Sequence, residues 1–361
     1  MRLIISLLLL ALPVTGQARK KPIIGSENAV ARHLEDGEEY RIPLLELLDH
    51  GRLLFSANWT PEEGGLRPLM KGNGRALSST ALPLLGARSF NRVSGPDANS
   101  CAGCHNQPFG IVGGGGDFTT GVFVLAQRFD FATFSAQDRI RTAGSLDENG
   151  QAATLQSMGN FRATTGMFGS GYLEMLAREM TAELQRIRDR LRPGSEATLV
   201  SKSVNFGILE RRKDGIWITA RVTGLGRMSL TSSDPLNPPS LVIRPWHQAG
   251  NVVSLREFTN NAYIQHHGIE TTERFGRDID QDGDGIRNEM TRADVTAVAV
   301  FQAAMAVPGR VIPRDPDVEA AILRGEGLFS QAGCVACHIP KLPLTRENWT
   351  FTEPSPFNLS A

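Results

Sequence analysis

All four cysteines of this 361-residue chain fall in two copies of one pentapeptide pattern, Cys101-Ala102-Gly103-Cys104-His105 and Cys334-Val335-Ala336-Cys337-His338. Two intervening residues put both sulfurs on one turn, and the adjacent imidazole then points at whatever the sulfurs hold. Covalent attachment of haem c needs that arrangement: two thiols for the two vinyl groups of one porphyrin, and a nitrogen beneath the iron. Two disulfides would leave both histidines unexplained. A zinc site would have to join clusters separated by more than half the chain. The spacing therefore predicts two covalently bound haem c groups. Cys101, Cys104, Cys334 and Cys337 are the attachment residues, and His105 and His338 the proximal iron ligands.

Such attachment takes place outside the cytoplasm, and the N-terminus reads as an export signal. Arg2 supplies the positive charge, Leu3 to Val14 the apolar stretch, and Gly16-Gln17-Ala18 a small-residue cleavage site. Residues 1–18 are thus expected to be removed and the mature chain, beginning near Arg19, to work in a bacterial periplasm. No internal run reaches the roughly 18 apolar residues of a membrane span. The 38 basic residues balance the 38 acidic ones, which argues against a nucleic-acid binder.

The flanks of the two motifs also repeat. Gly51 aligns with Gly325, and Leu54-Phe55-Ser56 with Leu328-Phe329-Ser330; the first copy carries an insertion before its cysteines and the second runs straight into them. The expected fold is mainly α, with two cytochrome c-like haem domains, long loops and a small β-hairpin insertion. After the signal peptide, residues 19–170 form the N-terminal cytochrome-like domain. Residues 171–275 form a connecting region, and 276–361 a C-terminal domain with the second haem. In the connecting region Leu173, Leu176, Met180, Leu184, Ile187 and Leu191 predict an amphipathic helix, and Lys213-Asp214-Gly215 a hairpin turn. Thr291 to Asp294 reads as a capping box opening a helix through Met305, and Val318 to Phe329 as the helix that delivers the second motif. Only 23 residues follow His338, none of them Met or His, so a truncated second domain is expected.

Phe55-Ser56-Ala57-Asn58-Trp59-Thr60-Pro61-Glu62-Glu63-Gly64, Asn99-Ser100, Gly169-Ser170-Gly171-Tyr172-Leu173-Glu174, the Asp-rich loop near 280 and Gly327-Leu328-Phe329 together resemble a known family. It is the di-haem oxidoreductases, also labelled thiol oxidoreductases, relatives of the bacterial di-haem cytochrome c peroxidases. The resemblance covers residues 45 to 345. It implies that one haem accepts electrons from a donor such as a small cytochrome or cupredoxin, while the other reduces hydrogen peroxide or a similar oxidant. The alternative is an electron-transfer cytochrome or redox subunit without peroxidase turnover.

Other site residues are candidates. Adjacent His266 and His267 stand out as metal ligands; Met158, Met167, Met175, Met228 and Met305 are further possibilities, with Met175 and Met305 better read as core. Glu174 is a candidate acid/base for peroxide cleavage. Trp246 is a candidate electron relay, the part an intervening tryptophan plays in di-haem peroxidases. Asp278, Asp280, Asp282 and Glu289 occupy positions 1, 3, 5 and 12 of a calcium-loop pattern, and a frame starting at Asp280 brings in Asp284 but puts Thr291 last. Calcium there is expected to order the approach to the second haem.

Overall fold

The computed structural model describes residues 28–65, 99–106, 110–115, 122–125, 159–162, 164–246, 252–280, 285–307, 313–346 and 351. The expected signal segment, Met158, His247, Asp282 and Asp284 lie outside them. In chain order the elements are helix α1 (Leu44–Ser56), α2 (Cys101–Cys104), strands β1 (Val122–Leu125) and β2 (Gly159–Arg162), then α3 (Ser170–Asp189). Strands β3 (Ser195–Ser201), β4 (Val204–Arg211) and β5 (Trp217–Val222) follow, then α4 (Arg227–Leu230), α5 (Leu255–Ala262), α6 (Thr272–Phe275), α7 (Arg292–Ala304) and α8 (Pro316–Gln331). Among the described residues no helix is long and apolar enough to cross a membrane.

The first core joins segments far apart in sequence. Leu47, Leu54 and Phe55 of α1, Trp59, Met167, Tyr263 and Val295 and Val298 of α7 are all buried in one cluster. Gly51 makes the central crossing possible: a Cβ there would lie 2.1 Å from the carbonyl oxygen of Ala297 and 2.8 Å from Phe301 Cβ. Only a residue without a side chain lets the two backbones approach this closely. Helix α7 starts as the sequence predicts, in a reciprocal capping box between Thr291 and Asp294. It was expected, however, to belong with the second haem. Instead it closes the first core, so the boundary at 275/276 and that at 170/171 both cut through one packed unit.

The connecting region builds a second core. Met180 and Leu184 of α3 pack on Leu199, Phe206, Leu209 and Val222. The predicted hairpin is the β4–β5 pair, turning at Lys213-Asp214-Gly215, where Gly215 has φ +89°. It is widened by β3 into a three-stranded antiparallel sheet in the order β3-β4-β5. Strand β3 keeps the period of two, with Leu199 and Ser201 turned inward.

Helix α8 contrasts with both cores. Capped by Asp315, whose carboxylate accepts from the amides of Asp317 and Val318, it has no buried residue. The expected second cytochrome-like core is therefore missing from the described residues. Beyond the motif the chain touches α3, where the Thr345 amide donates to Glu179 (3.1 Å) beside Lys202.

Candidate functional site

The first Cys-x-x-Cys-His copy is one tight helical turn. The Gly103 amide donates to Ser100 O (3.2 Å) and the His105 amide to Cys101 O (2.8 Å). Positions three apart on such a turn share a face, so both sulfurs look the same way. The following chain folds back on the motif: Gly113 N donates to His105 O, Met167 N to Gly113 O, and Thr164 Oγ1 to Cys104 O. The glycine run thus packs against the motif and against Met305, whose Sδ lies 2.4 Å from a hypothetical Gly113 Cβ. Met305 is core, as expected.

The imidazole of His105 is set for metal ligation. Its Nδ1 lies 2.9 Å from Thr165 O, an oxygen that can only accept, so Nδ1 carries the proton and Nε2 keeps its lone pair. The packed surroundings push its pKa down to about 4, which keeps the ring neutral at ordinary pH. Burial, and then the neighbouring Cys104, push the Cys101 thiol up to about 12. Phe55, delivered by α1, tilts onto the His105 ring at 6.3 Å.

A cavity of about 60 Å³ opens beside these groups. Phe55, Cys101, Cys104 and His105 line one part of it, and Met167, His266 and His267 are in its wall. The two adjacent histidines arrive on a π-helical turn, Tyr263–His267, that ends at Gly268 with φ +74°. Such single turns re-aim side chains and recur at functional sites. His267 is buried, with Nε2 3.2 Å from Cys101 Sγ. The sequence pairing of His266 with His267 therefore converges on the first motif. Of the methionines considered, Met167 lines the cavity, Met175 is buried on α3, and Met228 is exposed.

The second motif repeats the local geometry. The amides of Cys337 and His338 donate to Cys334 O at 3.2 and 2.9 Å. Phe329, the counterpart of Phe55, tilts onto His338 at 5.9 Å. The aligned Leu-Phe-Ser segments thus place the same aromatic on the same imidazole in both copies. The surroundings differ: Gly325, the counterpart of Gly51, meets nothing within 4 Å among the described residues, and Leu328 and Phe329 are exposed.

Glu174 and Trp246 do come near each other, but neither lines the cavity. The buried Glu174 carboxylate accepts from the Leu255 amide at the start of α5 (2.7 Å) and pairs with Arg178. Burial raises its pKa, against the opposing effect of Leu255, Arg178 and Trp246. Trp246 packs with Val252, Leu255 and Ala299 in a small separate cluster. The structure thus places both away from the cavity at the first motif.

Part of the calcium pattern lies among the described residues. Asp278 and Asn288 exchange hydrogen bonds (2.8 Å each), and Asp280 accepts from Gly285 N. Glu289 is buried; its Oε2 accepts from Glu270 N (2.7 Å), and its carboxylate fills the space a Gly64 side chain would need. Among the described residues no group of three His, Cys, Asp or Glu is arranged to hold a metal ion.

Sequence reasoning missed a buried cluster around Asp294. Its carboxylate accepts from His33 Nδ1 (2.7 Å), His50 Nε2 (2.8 Å), Leu34 N (3.0 Å) and Thr291 N (3.1 Å). Burial alone would raise its pKa; the two histidines and the Leu34 amide outweigh it and hold the carboxyl well below the usual range. The only sequence signal was its place in the capping box. Comparison with protein-family models, curated proteins and solved structures finds no match to the chain.

Proposed function

We propose that the chain is an exported di-haem c-type cytochrome working as a peroxidase-type oxidoreductase on hydrogen peroxide or a similar oxidant. Its electrons come from a small cytochrome or cupredoxin. The observation carrying this reading is the cavity at Cys101, Cys104 and His105, together with the recurrence of the same motif turn and aromatic-on-imidazole contact at Cys334, Cys337 and His338. The residues of the first site fit the group. Two sulfurs share one face, Thr165 orients His105, and an apolar wall excludes water from what they hold. At the second site the described residues supply the attachment turn and Phe329 only. When bound, haem supplies an iron that takes up and gives up single electrons.

A specific observation favours the second reading, an electron carrier without peroxide turnover. His266, His267 and Met167 all border the first cavity and offer it a further ligand. The spectrum of the half-reduced protein separates the two: a high-spin haem is expected of the enzyme, two low-spin haems of the carrier. The haem reading itself is tested on protein expressed with its signal and the cytochrome c maturation machinery. Porphyrin should stay with the denatured chain, and the Cys101→Ala/Cys104→Ala variant should lose half of it. Porphyrin that leaves completely on denaturation overturns the reading.

A further inference from the structure

A continuous chain of aromatic rings runs from the protein surface to the first motif. His33, with 28% of its side chain exposed, stacks on Trp59 at 6.2 Å with the planes 23° apart. Trp59 meets Tyr263 edge-on at 5.7 Å, and Tyr263 meets His267 edge-on at 5.5 Å. His267 then lies 3.2 Å from the Cys101 sulfur. Trp59 and Tyr263 are fully buried.

Packing alone does not call for the rest of the arrangement. The buried indole Nε1 of Trp59 has no hydrogen-bond partner among the described residues. An oxidised indole here has nothing to give its proton to and remains a cation. A negative charge stands one ring away: the Asp294 carboxylate is hydrogen-bonded to His33, the ring stacked on Trp59. In a buried setting such a charge stabilises a cation more than it would in water. The Tyr263 hydroxyl donates to Leu54 O (3.1 Å), a carbonyl that cannot take the proton, so Tyr263 bridges without being oxidised itself.

We infer that Trp59 is an electron-relay residue of the first site, passing single electrons between a donor at the His33 surface and the haem-bearing Cys101 through Tyr263 and His267. This rests on the haem reading above and deepens it. Reduction of hydrogen peroxide to two waters consumes two electrons and two protons. The protons come from solvent. Trp59 supplies one electron and becomes the indole radical cation, with its Nε1 proton retained. The group held by Cys101, Cys104 and His105 would supply the other. The reduced one-electron donor then refills each in turn.

The test is freeze-quench electron paramagnetic resonance of the haem-loaded protein mixed with hydrogen peroxide in the absence of donor. An organic radical is expected whose line narrows when the protein is grown on indole-deuterated tryptophan. The signal should survive in the Trp217→Phe/Trp246→Phe/Trp349→Phe variant, which keeps Trp59 alone, and vanish in Trp59→Phe. Ascorbate added before peroxide should suppress it. If Trp59→Phe fails to fold, the isotope label and the triple variant decide. A line unaffected by deuteration, a signal lost in the triple variant, or no organic radical in protein with covalent haem overturns the relay alone. Protein without covalent haem overturns the function reading, and the relay falls with it.

Discussion

Replacing Gly51 by alanine adds one methyl group where α1 crosses α7. The new Cβ would sit 2.1 Å from Ala297 O, and the contact must open by about 1 Å to become tolerable. Neither partner is a flexible side-chain tip, so the helices themselves must separate. Overpacking of this kind costs about 1–3 kcal/mol, while alanine regains up to about 1 kcal/mol of helix propensity. The expected net loss is about 1–2 kcal/mol, a melting point lower by about 2–8 °C for a unit of this size. The same substitution at the aligned Gly325 meets nothing within 4 Å and should stabilise α8 by about 0.5–1 kcal/mol. Thermal melts followed by far-UV circular dichroism compare the two variants. Equal destabilisation by both, or a neutral Gly51→Ala, would refute the close-crossing argument.

Asp294→Asn should cost about 3–5 kcal/mol in urea unfolding at pH 7, since it leaves His33, His50 and two amides facing a poorer acceptor. Because the folded-state pKa of Asp294 is depressed, the unfolded chain binds the extra proton; its contribution is full above about pH 4 and fades as pH falls below that, a dependence the variant should lack. Glu174→Gln should leave peroxide turnover intact. Its raised pKa means that stability falls as pH rises from about 4 through the folded-state value, and melts across that window should flatten in the variant. Abolished turnover in a folded Glu174→Gln protein would support a catalytic role. Glu289→Ala should lose about 1–3 kcal/mol in urea unfolding by removing the acceptor of the Glu270 amide; a stabilisation of the wild type by calcium that the variant lacks would support the ion loop.

The geometry of the two motifs was legible because their spacing is local. Cys-x-x-Cys-His makes its turn within five residues, and Leu-Phe-Ser puts a phenylalanine on each imidazole in both copies. The α7 cap was legible for the same reason, since Thr291 and Asp294 satisfy each other. What α7 packs against was not. That depends on Gly51 meeting Ala297, a pairing of two small residues with no periodic trace. The same limit hid the Asp294 cluster, whose partners come from two earlier segments. Glu289 was placed by its position in a pattern, and its burial was not legible, nor that of Met290 beside it, whose carbonyl accepts from Thr272 N. Strand β3 went unread because Ala197-Thr198-Leu199-Val200 is short and follows Pro193-Gly194 closely.

Chain order gives the return of α7 onto α1 a temporal meaning. A polypeptide emerging N-terminus first presents Cys101, Cys104 and His105 long before residues 255–304 exist to wall them in. Through that interval the thiols face an open cleft, reachable by an enzyme far too large to enter the finished cavity. Whatever is joined to them is joined first and enclosed afterwards. Such late closure also makes the first core slow to form, because its decisive contacts span the whole intervening sequence. Premature termination between residues 105 and 255 would leave the first motif unroofed, with the glycine-bearing face of α1 bare.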